Sequence, residues 1–117
     1  MDPLSELALH YQTDKMGSHT YCPIYHRYFD SIRHEKLRIL EIGYGGYGDP
    51  NKGGESARMW RDYFPNSEII VTDINPKNVT DEGYTFLQGD QTNEDFMRGL
   101  GSFDCVIDDG SHQSAHI

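Results

Sequence analysis

The fold is decided by the stretch Leu37-Arg38-Ile39-Leu40-Glu41-Ile42-Gly43-Tyr44-Gly45-Gly46-Tyr47-Gly48-Asp49-Pro50. A short aliphatic run ends in an acid and passes directly into a glycine-rich turn. The run has the length and composition of a buried parallel strand. Glycines after such a strand let the backbone adopt positive φ and bring its N–H groups close to a ligand. Because open α/β sheets bind ligands at the carboxyl ends of their strands, this stretch predicts a loop that binds a nucleotide-type cofactor.

After this stretch, the chain continues as alternating strands and helices. Three more strand-like runs follow, at Glu68–Asp73, Tyr84–Gln88 and Phe103–Asp108. Two helical patterns lie between them, from about Ser56 to Phe64 and from Thr92, as N-cap, to about Leu100. The order β-α-β-β-α-β predicts an open parallel sheet with crossover helices, in which the first and fourth strands are neighbours.

The residues before the central strand have a different pattern. Asp2-Pro3 is typical of a helix start, and Pro23 opens a second helix with Tyr28 and Phe29 on its apolar face. Between them, the polar residues of Tyr11–Tyr21 indicate either a lid over the cofactor or a plain connector. We therefore divide the chain into a helical and lid segment, residues 1–35, and an α/β cofactor-binding domain, residues 36–117.

Composition excludes several classes of protein. The 117-residue chain carries a formal charge of −9, which argues against a nucleic acid partner because phosphate binding needs a basic face. Neither a transmembrane run nor a signal peptide is visible in the sequence. Cys22 and Cys105 are far apart, as expected of two reduced thiols in a cytoplasmic protein.

The acids at the strand ends suggest how a cofactor would be held. Asp73 ends the second strand, where a carboxylate can accept hydrogen bonds from two ribose hydroxyls, although acids are also common in loops that follow strands. Asp90 and Gln91 follow the third strand and could border an adenine.

The glycine spacing leaves an alternative open. Gly43, Gly45 and Gly48 match the Gly-x-Gly-x-x-Gly pattern of dinucleotide-binding folds, so an NAD(P)-dependent oxidoreductase is a competing interpretation. However, Glu41 stands where a dinucleotide site keeps an apolar residue. In addition, the last glycine is followed by Asp49–Lys52 and not by a helix N-terminus that could face a pyrophosphate. An acidic loop suits a cofactor that carries a sulfonium and an ammonium.

Taken together, these motifs resemble the class I S-adenosylmethionine-dependent methyltransferases. The residues that carry this resemblance are Glu41-Ile42-Gly43-x-Gly45, Asp73, Gly89-Asp90-Gln91 and Phe103-Asp104-x-Val106-Ile107-Asp108-Asp109-Gly110-Ser111-His112. More narrowly, the chain is similar to the macrolide-sugar O-methyltransferases of the mycinamicin and macrocin type. The residues specific to that similarity are Thr13-Asp14-Lys15, His19, Tyr21, Leu40-Glu41-Ile42-Gly43 and Asp108-Asp109-Gly110-Ser111-His112.

The resemblance implies a truncated Rossmann-like methyltransferase sheet and a role for each cofactor-binding residue. Asp73 would bind the ribose, and Asp90 with Gln91 would border the adenine. Asp108 is also expected at the cofactor. The residues expected to hold the methionine end are Glu41, Gly43 and Gly45.

The resemblance also implies a magnesium ion at the acceptor. Asp109 would be its ligand and His112 the general base, acting on a hydroxyl of a sugar or of a similar small natural-product-like acceptor. A divalent cation lowers the pKa of a bound hydroxyl, and a nearby imidazole can then take the proton. His116 lies four residues after His112, but a metal site made of this pair alone is not expected because no third ligand is in view.

The family has a seven-stranded sheet, whereas four strands are predicted here. We therefore expect the sequence to represent an N-terminal part of such an enzyme, with weak cofactor binding and no turnover of its own. An open sheet edge predicts self-association, so a homo-oligomer is a candidate assembly. A non-catalytic cofactor-binding half-domain is the third interpretation.

Overall fold

The computed structural model describes residues 2–11 and 26–108, and the predictions that fall on the remaining residues lie outside it. Its helices are α1 (Pro3–Tyr11), α2 (Glu55–Tyr63) and α3 (Glu94–Gly99), with further helical residues at 26–29. Its strands are β1 (Arg38–Ile42), β2 (Glu68–Asp73), β3 (Thr85–Gln88) and β4 (Cys105–Asp108). None of the helices in these two ranges is long and apolar enough to cross a membrane.

The four strands form one parallel sheet in the order β3-β2-β1-β4. β1 is central: Leu40 pairs with Ile70 of β2 on one side and with Val106 of β4 on the other. This arrangement confirms both the predicted order of elements and the predicted adjacency of the first and fourth strands. It also places the ends of β1, β2 and β3 side by side at one edge, where the candidate site lies.

The main core lies between the sheet and the helices α1 and α2. The large apolar residues of α2 and its C-cap are buried there against Ile39 of β1, namely Trp60, Tyr63 and Phe64. Leu4 and Ala8 of α1 belong to the same cluster, which is completed by Tyr44, Ala57, Met59, Ile69, Val71 and Ile107. The described part of the segment 1–35 is therefore packed on the α/β part, and the division into two domains stays a prediction.

The other face of the sheet is covered by α3. Leu40 and Ile70 pack there against Leu100, with Phe96 at the margin of the cluster. Helices thus cover both faces, as parallel sheets require, because their strands are apolar on both sides.

Local hydrogen bonds explain where two of the helices begin. As predicted, α1 starts at Pro3, and Asp2 caps it by accepting hydrogen bonds from the Ser5 backbone N–H and hydroxyl, both at 2.8 Å. The predicted cap of α3 was wrong. Asn93, not Thr92, is its N-cap, and the Asn93 Oδ1 atom accepts from the Phe96 N–H at 3.0 Å.

The aromatic residues before β1 divide between the core and the surface. Phe29 packs against Trp60 and Phe64, with ring centroids 6.2 and 5.3 Å apart. Tyr28, predicted on the same apolar face, is instead 72% exposed. His26 is half-buried, and its Nδ1 atom lies 2.7 Å from the Tyr63 hydroxyl.

Candidate functional site

The glycine loop, residues 43–54, begins by bonding to the end of β2. The Gly43 N–H donates to the Thr72 carbonyl at 2.7 Å, and the Tyr44 N–H donates to Asp73 Oδ2 at 2.8 Å. Gly43 has a φ of 103°, a conformation that side-chain-bearing residues rarely adopt. The chain can therefore turn sharply at the end of β1 and keep its backbone next to the acid of β2.

The loop then folds back on itself, and this close packing requires glycine at Gly46 and Gly53. A Cβ atom on Gly46 would lie 2.5 Å from the Lys52 carbonyl oxygen, and one on Gly53 would lie 2.7 Å from the Gly45 carbonyl carbon. Gly48, in contrast, has open space around it. Most of these glycines thus allow the loop to pack closely against itself. The sequence suggested only that they bring the backbone close to a ligand.

A cavity of about 140 Å³ opens at the carboxyl ends of β1, β2 and β3. Four of the predicted cofactor-binding residues line it together: Gly43, Asp73, Asp90 and Gln91. The rest of its wall is formed by Ile42, Thr72, Ile74, Gly89 and Thr92. This is the edge of an open α/β sheet at which ligands bind.

The Asp73 carboxylate is held rigidly at the cavity wall. Its Oδ1 atom accepts from the Asn75 N–H at 2.9 Å, while Oδ2 accepts from the Tyr44 N–H at 2.8 Å. Two carboxylate oxygens offer about four acceptor positions, so this group has capacity for further donors. A ligand with two adjacent hydroxyls is the natural complement of such a group.

Asp90, another residue of the cavity wall, is oriented by Thr92. Its Oδ1 atom accepts from both the backbone N–H and the hydroxyl of Thr92, each at 2.8 Å. These hydrogen bonds lower the pKa of Asp90 below its usual value, so the group is charged at neutral pH. The turn is tied to β2 by the Gly89 N–H, which donates to the Asp73 carbonyl at 2.9 Å.

Ile74 is a cavity residue that the sequence analysis missed. Its side chain is 61% exposed and lines the cavity directly after Asp73. The sequence feature that could have identified Ile74 is a branched aliphatic residue directly after the acid that ends a strand. Together with Ile42, Ile74 gives the wall an apolar surface against which a flat ring can pack.

Three predicted residues lie elsewhere. Glu41 is fully buried on the α2 face of the sheet, where its Oε2 atom accepts from the Trp60 Nε1–H at 3.1 Å, and it does not line the cavity. Gly45 packs toward Gly53, and Asp108 is exposed beside Ile42 in the strand register. Their proposed contacts with the cofactor stay predictions.

The predicted metal ligand Asp109 and the predicted base His112 lie outside the described residues, as do His116 and the predicted lid. Within residues 2–11 and 26–108, no group of three or more histidine, cysteine or acidic side chains is arranged to hold a metal ion.

The chain is similar in sequence to several known O-methyltransferases. Mycinamicin VI 2''-O-methyltransferase from Micromonospora griseorubida is 46% identical over 120 residues, which cover 97% of this chain and 30% of that enzyme. A tetracenomycin-C 3'-O-methyltransferase from Streptomyces olivaceus is 44% identical over 119 residues, with the same coverage. Demethylmacrocin O-methyltransferase from Streptomyces fradiae is 43% identical over 120 residues, which cover 97% of this chain and 30% of that enzyme. No family model matches the chain.

The solved structures agree with the sequence relatives. The MycE methyltransferase of mycinamycin biosynthesis, solved with Mg and S-adenosylhomocysteine (SAH), superposes with a TM-score of 0.87 at 45% identity, covering 98% of this chain and 31% of that one. A second structure, which also contains mycinamycin VI, gives a TM-score of 0.86. These comparisons confirm the predicted resemblance to macrolide-sugar O-methyltransferases, and the described sheet matches the methyltransferase fold. The chain spans about 30% of the length of the relatives it matches.

Proposed function

We propose that this chain is the cofactor-binding part of an S-adenosylmethionine-dependent O-methyltransferase that acts on a hydroxyl of a sugar or a similar small natural-product-like acceptor. The observation that carries the proposal is the shared cavity of Gly43, Asp73, Asp90 and Gln91. Its support comes from a fold and sequence similar to those of a methyltransferase solved with SAH.

In this proposal, different residues of the cavity wall bind different parts of the cofactor. Asp73 accepts hydrogen bonds from the two ribose hydroxyls through acceptor positions that its backbone contacts leave available. Asp90 and Gln91 border the adenine edge, and Ile74 packs against the face of the ring. Gly43, Gly45 and Glu41 are assigned to the methionine end, and Asp108 is assigned to the cofactor without a specified contact.

The reaction itself is assigned to residues after β4. Asp109 is proposed as the ligand of a magnesium ion and His112 as the base that takes the proton from the acceptor hydroxyl. A bound divalent cation would supply a lowered pKa for that hydroxyl. Methyl transfer is then an in-line displacement that depends on positioning, so the rigid Asp73 wall contributes by fixing the cofactor.

The loop geometry favours this function over a dinucleotide oxidoreductase. α2 begins only at Glu55, so six residues separate it from Gly48, the last glycine of the motif. A dinucleotide loop passes directly into the helix whose N-terminus binds the pyrophosphate. The sulfonium and ammonium of S-adenosylmethionine are also suited to a chain with a net charge of −9. A cytoplasmic location and the lack of a nucleic acid partner remain part of the proposal.

Calorimetric titration of the purified chain with S-adenosylmethionine, SAH and NAD, each with and without magnesium, tests the proposal. We expect saturable binding of the first two, weakened by about tenfold or more in Asp73→Ala, as the loss of charge-assisted hydrogen bonds implies. Asp95→Ala, which removes an exposed carboxylate of α3, is the matched control and should bind like the wild type. Binding of NAD alone would contradict the proposal.

A further inference from the structure

The ammonium group of Lys77 lies in a ring of backbone carbonyls. Its Nζ atom is 2.7 Å from the Tyr47 oxygen, 2.9 Å from the Asp49 oxygen and 3.3 Å from the Lys52 oxygen. All three belong to residues 47–52 of the glycine loop, whereas Lys77 lies in the connection between β2 and β3. An ammonium group has three donors, so this arrangement uses its full capacity.

Two neighbours of Lys77 reinforce the same attachment. The Asn75 Nδ2 atom donates to the Tyr47 carbonyl at 3.1 Å, and the Asn78 N–H donates to the Pro50 carbonyl at 2.8 Å. Tyr47 has a φ of 52°, which is uncommon for a residue with a side chain. Its carbonyl receives both Asn75 and Lys77, so these contacts offset the strain of that conformation.

The same lysine also contacts the first half of the loop. Its Nζ atom lies 5.9 Å from the centroid of the Tyr44 ring, within the range of a cation–π interaction. The Tyr44 N–H in turn donates to Asp73 at the cavity wall. Lys77 therefore touches both halves of a loop whose beginning forms part of the candidate cofactor cavity.

We propose that Lys77 is a positioning residue that holds residues 47–52 in the folded-back conformation through its carbonyl ring, and that it thereby sets the shape of the cofactor loop. The consequence for cofactor affinity rests on the proposed function, while the consequence for the loop does not. Replacing the ammonium by an apolar group would leave three converging carbonyl dipoles without their common donor, and the loop would open.

Hydrogen exchange of the loop amides tests the proposal directly. The reporters are the N–H groups of Asp49, Lys52 and Gly54, which donate within the loop at 3.1, 3.2 and 2.8 Å. In Lys77→Met we expect these amides to exchange about tenfold faster, the effect of losing a charged hydrogen-bond donor. Lys36→Met, at an exposed lysine before β1, is the control for the change in charge and should leave them unchanged. Unchanged loop exchange in Lys77→Met, or equal acceleration in both variants, would overturn the proposal.

Rescue of the loop by a small cation distinguishes a specific role of the carbonyl ring from a general effect of Lys77 on stability. In Lys77→Ala, ammonium chloride should slow the loop exchange again because the small cation can enter the vacated ring, whereas tetramethylammonium chloride should not. Equal effects of the two salts would count against the proposal. In the wild type, an amine-modifying reagent should label Lys77 more slowly than Lys36, as measured by mass spectrometry. Equal labelling rates would contradict the proposal, and this test needs no variant.

Calorimetry with SAH then tests the consequence for the cofactor. If the wild type binds, Lys77→Met should bind about tenfold more weakly and Lys36→Met equally well. Equal affinity of the wild type and Lys77→Met would refute the coupling between the ring and the cavity. A wild type that fails to bind would count against the proposed function alone, and the exchange rates would still decide the role of Lys77.

Discussion

The Tyr44 N–H donates to Asp73 Oδ2 at 2.8 Å, so the acid that ends β2 also fixes the first turn of the loop that follows β1. The other oxygen of Asp73 accepts from the Asn75 N–H at 2.9 Å. This acid thus has a structural role in addition to the ribose contact proposed for it. Variants at this position must be interpreted with both roles in mind.

Asp73→Asn should be less stable than the wild type and should also bind the cofactor more weakly. An amide offers one acceptor oxygen, so its NH₂ group would face one of the two backbone donors. We expect a loss of about 1–3 kcal/mol in the free energy of unfolding, the usual penalty for a mismatched polar group. Urea denaturation followed by circular dichroism measures this loss, and a variant as stable as the wild type would contradict the two-sided contact.

The glycine loop offers a matched pair of variants. Gly46→Ala should lower stability by about 1–3 kcal/mol and weaken SAH binding, because Gly46 has a φ of 76° and a Cβ there would lie 2.5 Å from the Lys52 oxygen. Gly48→Ala should behave like the wild type, since the space around Gly48 is open. Thermal unfolding and calorimetry measure both effects. Equal losses of stability and of SAH binding in the two variants would show that the close packing of the loop does not determine which substitutions it tolerates.

Trp60→Phe tests the buried contact between α2 and β1. The variant removes the indole donor that lies 3.1 Å from Glu41 Oε2, and both residues are fully buried. We expect a loss of about 1–3 kcal/mol, most of it from the carboxylate that loses this donor. In a double-mutant cycle with Glu41→Met, the double variant should be more stable than the sum of the two single variants predicts. Additive losses would indicate that the contact carries no coupling energy.

Stability should fall in acid because of Asp62. Burial opposes its ionisation, but hydrogen bonds from Arg61 and Tyr11 outweigh that effect and lower the pKa of Asp62 below 3.8. A group whose pKa is lower in the folded state stabilises above its unfolded pKa, and this contribution is lost as the pH falls through the folded pKa. Asp62→Asn should therefore lower the melting temperature at pH 6 more than at pH values near 3. Asp95→Asn, at an exposed carboxylate of α3, is the control, and an equal pH dependence in both variants would contradict the role of Asp62.

The corrected cap of α3 gives a further prediction. Asn93→Ala should destabilise the chain by about 1 kcal/mol, the typical effect of removing an N-cap side chain. Thr92→Ala should mainly disturb Asp90, since the Thr92 hydroxyl donates to that carboxylate and not to the helix. Melting temperatures of the two variants distinguish these roles, and a larger loss in Thr92→Ala would restore the original assignment of the cap.

The strands and most of the cavity could be predicted from the sequence because each strand is a short run that contains adjacent apolar residues, and Glu68–Asp73 matches its predicted bounds. Parallel strands bring their ends together, so Asp73 and Asp90 meet at one edge although they are far apart in sequence. The direction of the Glu41 side chain was also encoded. Alternation along β1 places it on the face of Ile39, which packs against α2.

Other contacts could not be predicted from local patterns. The Tyr44 and Tyr84 hydroxyls lie 2.6 Å apart, and burial together with this contact raises the pKa of Tyr84. Lys77 finds its three carbonyls only after the loop has folded back. Thr92 and Asn93 are both good caps, and the choice between them depends on Asp90, which takes the Thr92 hydroxyl. Each of these outcomes depends on tertiary partners that no sequence window contains.

The position of β1 at the centre of the sheet also favours one order of assembly. Its contacts with β2 join residues 30 positions apart, as between Arg38 and Glu68, whereas those beside β4 join residues 66 positions apart, as between Arg38 and Asp104. Closing the longer loop has the higher entropic barrier, so β1, α2, β2 and β3 can associate first. On a ribosome, that three-stranded unit can form before residues 105–108 emerge. β4 would then dock last, onto an edge of β1 that nascent chains expose in the meantime.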